Sequence, residues 1–281
     1  MILESNEARV HWEKAAPGWA KWEDIFTHSV EEATRAMLDM AGVEEGKRVL
    51  DLASGAGSQT LAAARRAGAN GQVIANDISQ TMLDHVKKNA AAAGLSNIET
   101  LLGSVQELEL ENQGFDSVIS RFGLMLIPEP GKVLSKIFTA LKPGGKASVV
   151  VFSVPQANQF FLVPMQILLK HAGKSPPPPG TPGLFALAAP GLLEKLFSDA
   201  GFENPEVSSL DIFFRMPPAD QTLVMMQEAF GAYRAVISDC TDETQAAAWA
   251  EVREYLGALG SGSGIEAPSQ VLVGSGSKPE R

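Results

Sequence analysis

Short apolar runs alternate with amphipathic segments through the first half of the chain. The apolar runs fall at 48–53, 72–76, 97–102, 115–120 and 146–153. The longer segments between them repeat apolar residues at helical spacing and end in glycine, as helices often do. Strands that alternate with helices build parallel sheets with right-handed crossovers. The pattern therefore predicts an α/β fold with a doubly wound sheet.

The regular alternation stops after Val154. A proline-rich stretch at 174–183 breaks both helix and sheet. The later segments are predicted as helices at 156–171, 190–200, 218–236 and 242–257, and as strands at 203–216 and 269–275. We expect the helical material at 155–189 and 217–262 to form insertions that cap the ligand crevice, while a purely structural role for any single helix stays open.

The N-terminal region is predicted to be helical before the first strand begins. Residues 5–42 carry apolar positions at helical spacing, and the Pro17-Gly18 pair interrupts them. Two short helices are therefore expected there. The resulting division is an N-terminal helical segment at 1–46 that covers the site, followed by a ligand-binding domain at 47–281 with its cap insertions.

Charge and cysteine content exclude several classes of protein. The net charge of −10 argues against a nucleic-acid partner, because a phosphate backbone requires a basic face. The single cysteine, Cys240, allows neither an internal disulfide nor a thiolate cluster, and no metal site is expected. The apolar runs are too short to cross a bilayer. A cytoplasmic protein is the simplest expectation.

The segment "VLDLASGAGSQT" at 49–60 carries the chemistry of the first strand–helix turn. In doubly wound sheets this turn faces the ligand. Thr60 stands where a dinucleotide-binding loop has its third glycine, and the lysine of a nucleoside-triphosphate loop is missing. A carboxylate at Asp51 would repel a pyrophosphate. It suits a ligand that carries positive charge, such as the sulfonium and ammonium groups of S-adenosylmethionine.

A second carboxylate follows the second predicted strand. The run "GQVIANDIS" places Asp77 at the end of that strand. A carboxylate at this position receives the hydroxyls of a ribose in adenosine-containing ligands. The alternative is that Asp77 only caps the following helix, for which Ser79 is the expected N-cap. With the glycine loop before it, ribose binding is the favoured interpretation.

Several motifs in order resemble those of the class I S-adenosylmethionine-dependent methyltransferases. They are "VLDLASGAG", "VIANDISQTMLDHV", "GSVQEL", "FDSVISRFGLMLIPEP" and "LKPGGKASVVVF". Within this family the chain is most similar to the small-molecule branch of the ubiquinone and menaquinone C-methyltransferases. The resemblance covers 47–155 closely and 189–215 more loosely. It implies a Rossmann-like sheet of seven strands with helical cap insertions, and S-adenosyl-L-methionine as cofactor.

The resemblance also implies roles for individual residues. The methionine end of the cofactor would contact Asp51, Ala53, Ser54, Gly55 and Gly57. The ribose and adenine would contact Asp77, Ile78, Met82, Gly103, Ser104 and Val105. Ser120, Arg121 and Phe122 would lie under the methionine moiety and face the acceptor.

Two positions depart from the family pattern. The first loop glycine is replaced by Ala53, which should still admit the cofactor. The aspartate that usually meets the adenine amino group is replaced by Ser104. A hydroxyl accepts a hydrogen bond more weakly than a carboxylate does. Adenine recognition is then expected to depend more on the backbone of Val105.

Methyl transfer from a sulfonium is an in-line displacement that mainly requires alignment and exclusion of water. A general base is needed only for an acceptor that must lose a proton. His28 is the first candidate and His171 the second. Arg121 is a candidate catalytic residue that would pair with the cofactor carboxylate or with an anionic substrate, and a structural salt bridge with an acidic residue of a helix is the alternative. Trp19 could close over the sulfonium through a cation–π contact or simply anchor its helix.

The acceptor is expected to be a small, aromatic or lipophilic molecule. An apolar set in the predicted cap suits such a molecule, although it could equally form the core of the cap: Phe160, Phe161, Met165 and Phe185. The favoured function is methyl transfer to carbon or oxygen. A non-methylating enzyme such as a cyclase, and a non-catalytic sensor of the adenosyl ligand, are the alternatives. The sequence leaves the oligomeric state open.

Overall fold

The computed structural model describes residues 5–261 and 263–281, which are organised around one mixed sheet. The strands are β1 Arg48–Leu52, β2 Gln72–Asp77, β3 Ile98–Leu102, β4 Phe115–Arg121, β5 Leu141–Phe152, β6 Glu203–Met216, β7 Gly260–Ser261 and β8 Gly264–Ser277. Seven of them follow the order β3-β2-β1-β4-β5-β8-β6, and the two-residue β7 pairs with β8. The first five strands are parallel, and β8 runs antiparallel between β5 and β6. The predicted seven-stranded α/β sheet is confirmed.

Helices connect and cover these strands. They are α1 Ser5–Ser29, α2 Glu31–Met40, α3 Ser58–Ala67, α4 Gln80–Ala92, α5 Pro130–Ala140, α6 Gln159–His171, α7 Leu192–Asp199, α8 Ala219–Ala229, α9 Gly231–Ile237 and α10 Asp242–Leu259. Ser79 is the N-cap of α4, because its hydroxyl accepts a hydrogen bond from the Met82 amide at 3.1 Å. No helix among the described residues is long and apolar enough to span a membrane.

The ligand crevice lies where the strand order reverses. The chain leaves β1 for β2 on one side and returns to β4 on the other side. The loops after β1 and β4 therefore diverge at the carboxyl edge of the sheet, which is where doubly wound folds bind ligands. The central strands β1, β2 and β4 are almost entirely buried, as expected for parallel strands covered on both faces.

The prediction of two short helices divided at Pro17-Gly18 is wrong. One helix, α1, continues through Pro17, and the break comes only after Ser29. A proline inside a helix costs about 3 kcal/mol. Tertiary packing offsets this cost, since Gly18 lies directly against the α8 backbone at Glu228. The pyrrolidine ring of Pro17 is exposed to solvent.

The helices in the expected cap regions pack against one another. Helix α6 contacts α9 and α10, and α8 contacts α10. Helix α8 also contacts α1, which in turn contacts α4. The N-terminal helix is therefore joined to the cap on one side and to the sheet helices on the other.

Candidate active site

The loop after β1 makes a sharp turn built from residues with positive φ. Gly55 and Gly57 have φ of 56° and 100°, and Ala53 has a φ of 53°. A left-handed conformation costs a residue with a side chain about 1–2 kcal/mol. A Cβ on Gly57 would approach Val86 to 2.8 Å, so this glycine lets α4 pack closely. Among the described residues, no atom lies within 4 Å of a Cβ built on Gly55, and the loop is open there.

Asp51 lies in the interior and not on the loop surface. Its carboxylate accepts hydrogen bonds from Thr60 Oγ1 at 2.6 Å and from Gln59 Nε2 at 3.4 Å. Burial raises the pKa of Asp51 to about 7, although these hydrogen bonds and the charge of Arg121 oppose the rise. The carboxylate thus stabilises the first turn of α3, and a direct contact with the cofactor stays a prediction.

Asp77 joins the loops after β1 and β2. Its Oδ2 accepts a hydrogen bond from the Gly55 amide at 2.9 Å, and its Oδ1 accepts one from the Ser79 amide at 2.9 Å. Burial raises its pKa, and these amide hydrogen bonds oppose the rise. A carboxylate oxygen can accept more than one hydrogen bond, so both oxygens retain acceptor capacity. Ile78, the next residue, is only partly buried.

The turn after β3 is tied to the end of β2. The Gly103 amide donates to the Asp77 carbonyl at 3.0 Å. The side-chain amide of Asn76 donates to the carbonyls of Leu101 and Gly103, both at 2.9 Å. Ser104, which follows, is partly exposed. These bonds bring the residues expected at ribose and adenine to one edge of the sheet.

Helix α1 crosses the loop after β1. Glu13 accepts a hydrogen bond from the Gln80 amide at 2.6 Å, at the start of α4. Glu23 accepts one from the Ser58 amide at 2.9 Å, at the start of α3. Helix N-termini favour carboxylates, so both contacts hold α1 in place. Sequence reasoning missed these two glutamates, since acidic residues on a polar helix give no signal of a distant partner.

Trp19 lies between these two contacts and packs on the loop. It joins a small apolar cluster with Ala16, Ala56 and Met82. Its ring lies 4.9 Å from the Phe26 ring, centroid to centroid. Its indole Nε1 is buried without a hydrogen-bond partner among the described residues. An unpaired buried donor is costly, so this N–H is available to a ligand that binds beside the loop.

These features fit S-adenosylmethionine. The loop offers open space at Gly55, and the buried hydroxyl of Ser54, like the Trp19 indole, has no partner in the described chain. Asp77 presents a carboxylate where a ribose would lie. The polar groups around the loop are carboxylates, hydroxyls and amides. Together they suit a ligand with ammonium, carboxylate and ribose groups but no phosphate.

Arg121 lies at the end of β4 and connects two helices. Its Nη1 donates to Thr34 Oγ1 at 2.7 Å, and its Nη2 donates to Ser58 Oγ at 2.5 Å. Burial lowers its pKa to about 10, while the charges of Asp51 and Glu23 oppose the change. The guanidinium therefore remains charged at neutral pH. The structure places it in contact with side chains of α2 and α3, and its expected contact with a ligand stays a prediction.

The loop after β4 approaches the loop after β1 closely. A Cβ on Gly123 would come within 2.6 Å of Ala53 Cβ and 2.8 Å of Ser120 Oγ. Phe122 has a φ of 60°, and its ring stacks on Phe152 at 4.7 Å, centroid to centroid. Strained residues of this kind concentrate at functional sites. The carboxyl ends of β1 and β4 thus form one continuous surface.

The two histidines expected as bases each make a contact within the protein. His28 is exposed, and its Nδ1 lies 2.6 Å from the Asp24 carbonyl of its own helix. Helix α1 does cross the loop, and a role of His28 as a base stays a prediction. His171 is paired with Glu251 at 2.7 Å, between α6 and α10. Among the described residues, no group of three or more His, Cys, Asp or Glu side chains could hold a metal ion.

The apolar residues expected for the acceptor divide into two groups. Phe160 and Phe161 are fully buried and belong to the core of the cap. Met165 and Phe185 are partly buried. The Phe185 ring lies 6.2 Å from the ring of Phe152, centroid to centroid.

A model of the ubiE/COQ5 methyltransferase family matches residues 5–171. The demethylmenaquinone methyltransferase of Bacillus cytotoxicus is 31% identical over 218 residues, which cover 73% of this chain and 92% of that protein. The ubiquinone/menaquinone biosynthesis C-methyltransferase UbiE of Erwinia tasmaniensis is 29% identical over 196 residues, covering 63% and 74%.

Solved structures show the same fold. The cyclase SpnF aligns with a TM-score of 0.62 at 17% identity, covering 99% of this chain and 98% of that one. A phosphoethanolamine N-methyltransferase of Haemonchus contortus, bound to S-adenosylhomocysteine, aligns with a TM-score of 0.59 at 18% identity, covering 99% and 61%. At these identities the likeness establishes the fold alone.

Proposed function

The chain belongs to the ubiE/COQ5 methyltransferase family and transfers methyl groups from S-adenosylmethionine, and on this premise we propose that its acceptor is a small quinone-type ring methylated at carbon. The relatives named for demethylmenaquinone and ubiquinone support this acceptor class. A reduced quinone ring carries ionisable hydroxyls that make the neighbouring ring carbon nucleophilic. Such an acceptor needs alignment more than an activating base from the protein.

The observation that carries the proposal is the continuity between the cofactor loop and an aromatic surface. Trp19 packs on Ala56 of the loop, and its ring also contacts Phe26 and Phe230, at centroid distances of 4.9 and 5.6 Å. On the opposite side, Phe122 extends from the end of β4. These rings are only partly buried. Flat aromatic acceptors bind favourably against such rings.

We assign the cofactor to the edge formed by the first three loops. Asp77 would receive the ribose hydroxyls, and Ser104 and Val105 would border the adenine. The unpartnered Ser54 hydroxyl and Trp19 indole would hold the methionine end. When bound there, the sulfonium supplies an electrophilic methyl group.

The chain's own residues would orient both partners and exclude water. Helix α1 covers the loop, and its two glutamate contacts keep it closed. Arg121 would act as a positioning residue through Ser58, the first residue of α3. No histidine is assigned as a base, since His28 and His171 are engaged elsewhere. The ionised acceptor hydroxyl would direct electrons to the neighbouring ring carbon, which bonds to the methyl group as the methyl–sulfur bond breaks and S-adenosylhomocysteine leaves. The ring carbon would then lose its proton to solvent, which restores the aromatic ring.

We also propose a cytoplasmic location and no nucleic-acid partner. The single cysteine is typical of a reducing compartment, and the net charge of −10 is unfavourable for phosphate backbones.

The test incubates the purified chain with S-adenosylmethionine and three reduced acceptors: a short-chain naphthoquinol without its ring methyl, a matching benzoquinol, and phosphoethanolamine. Formation of S-adenosylhomocysteine is followed with each. Nuclear magnetic resonance then distinguishes a ring C-methyl group from a methoxy group. We expect a ring C-methyl product from a quinol. Methylation of the amine alone, or of oxygen alone, would contradict the proposal.

A further inference from the structure

The turn after β3 is fixed at its beginning by its own backbone. The Ser104 carbonyl accepts hydrogen bonds from the amides of Glu107 and Leu108, both at 2.9 Å. A Cβ on Gly103 would approach Leu108 Cδ2 to 2.7 Å, so the turn folds closely onto this glycine. The segment at 104–108 forms a single turn. The backbone carbonyls of Val105, Gln106 and Leu108 in this turn are paired from outside it.

Lys136, on α5, donates hydrogen bonds to these three carbonyls. Its Nζ donates to the carbonyls of Val105 at 3.4 Å, Leu108 at 3.3 Å and Gln106. An ammonium has three donors, and this turn uses all of them. A cation is favourable at the carbonyl end of a helical turn. Lys136 therefore acts as a cap supplied by a different helix.

The neighbouring lysine on the same helix behaves differently. Lys132, one turn earlier, forms an ion pair with Glu129 at 2.6 Å, and its side chain is 75% exposed. Among the described residues, Lys136 has no carboxylate within ion-pair distance, and it is partly buried. Its charge is directed entirely at backbone carbonyls. Lys136 therefore holds the turn at 104–108 in one conformation.

The Val105 amide is the group that the turn leaves available. The hydrogen bonds of the turn use the amides of Glu107 and Leu108, and none from the Val105 amide is found within residues 5–261 and 263–281. Ser104 offers only a hydroxyl where the family has a carboxylate. A weaker side-chain acceptor makes the exact position of the neighbouring amide more important.

We propose that Lys136 is a positioning residue for the adenine of the cofactor. It holds the turn at 104–108 so that the Val105 amide and the Ser104 hydroxyl meet the edge of the base. The inference rests on the adenine placement proposed above. Precise placement of a donor by supporting groups is a general requirement of ligand sites.

The test compares Lys136→Met with the control Lys132→Met. Titration calorimetry measures the dissociation constants of S-adenosylhomocysteine and of 5′-methylthioadenosine, which lacks the amino-acid end. We expect Lys136→Met to weaken both ligands about tenfold, because they share the adenosine. The KM for S-adenosylmethionine should rise similarly with kcat nearly unchanged. Lys132→Met should match the wild type, and Lys136→Arg should recover most of the affinity.

Two results separate this inference from the placement on which it rests. Ser104→Trp fills the proposed adenine position and should abolish binding. If Ser104→Trp binds normally, the adenine lies elsewhere and the placement itself fails. If Ser104→Trp abolishes binding while Lys136→Met leaves both dissociation constants unchanged, only the role of Lys136 is overturned. Should Lys136→Met not fold, Lys136→Gln, which keeps two of the three donors, replaces it with the same expected direction.

Discussion

The Glu23 carboxylate accepts a hydrogen bond from the Ser58 amide at 2.9 Å, which ties the C-terminal third of α1 to the first turn of α3. Its second oxygen accepts one from the Asn89 side chain at 3.2 Å, on α4. Glu13 binds the Gln80 amide at 2.6 Å, at the start of α4. Helix α1 is thus held across the cofactor loop from both sides.

Replacing Glu23 with glutamine should loosen α1. The variant loses a negative charge at a helix N-terminus, and an amide nitrogen would then face the Asn89 donor. We expect a loss of about 1 kcal/mol in the free energy of unfolding. S-adenosylhomocysteine should bind several-fold more weakly, because the cover over the loop opens more often. Urea unfolding and titration calorimetry measure the two effects.

The matched control for this variant is Asp24→Asn. Asp24 is the next residue on α1 and is exposed. The Asp24→Asn variant should retain the wild-type free energy of unfolding and the wild-type affinity for S-adenosylhomocysteine. Equal behaviour of the two variants would show that the Glu23 contact does not hold the helix over the loop.

Asp77→Ala should weaken cofactor binding by about 1–3 kcal/mol, the cost of leaving polar partners unpaired. Part of this loss would come from the missing contact with the ribose. The other part would come from the Gly55 amide, which Asp77 holds in place by a hydrogen bond. Asp77→Asn keeps an oxygen acceptor and should lose less. Asp84→Asn, on the exposed face of α4, is the control. Unchanged affinity of Asp77→Ala in a calorimetric titration would refute the ribose assignment.

The sheet and the cofactor loop were predictable because their signals are local. Alternating apolar runs predicted the strands, and the strand–loop pattern predicted that Gly55 and Asp77 lie at one edge of the sheet. Ribose binding at that edge stays a proposal. The course of α1 was not predictable, since the proline rule is overridden by contact between Gly18 and Glu228 on α8.

The contacts that support the site could not be predicted from the sequence either. Glu23 meets Ser58 across 35 positions of sequence, and Lys136 meets Gln106 across 30. No local pattern marks such pairs. The crossing of α1 over the loop was expected, but the contacts of Trp19 and Glu23 that hold it there were not.

Asp51 should make stability depend on pH in an unusual direction. Its pKa is raised to about 7 in the folded state from its ordinary value of 3.8, because burial disfavours the charged form. The folded state therefore binds more protons than the unfolded state between these values. The stabilisation is complete below about pH 4 and is lost as pH rises through 7, by on the order of 4 kcal/mol.

Asp51→Asn removes this titration and should flatten the pH dependence. Urea unfolding of both proteins between about pH 5 and pH 8 measures the difference. Arg121, with a pKa of about 10, stays charged throughout and does not confound it. Parallel pH profiles for the two proteins would mean that Asp51 is already ionised at low pH.

Gly18→Ala should displace α1 from the cap. A Cβ at Gly18 would overlap the Glu228 carbonyl on α8, which is backbone and cannot move aside easily. The same glutamate's side chain binds Lys21 and Trp22, so the whole contact between α1 and α8 would shift. Overpacking of this kind costs about 1–3 kcal/mol.

A second glycine provides the comparison. Gly257 lies on the exposed side of α10, and a Cβ there would meet no atom of the described residues within 4 Å. Gly257→Ala should stabilise the protein by about 0.5–1 kcal/mol, because alanine loses less entropy in a helix. Urea unfolding should therefore show a lower free energy of unfolding for Gly18→Ala and a higher one for Gly257→Ala. If both substitutions stabilise, α1 does not depend on its close contact with α8, and the proline in its interior must be tolerated for another reason.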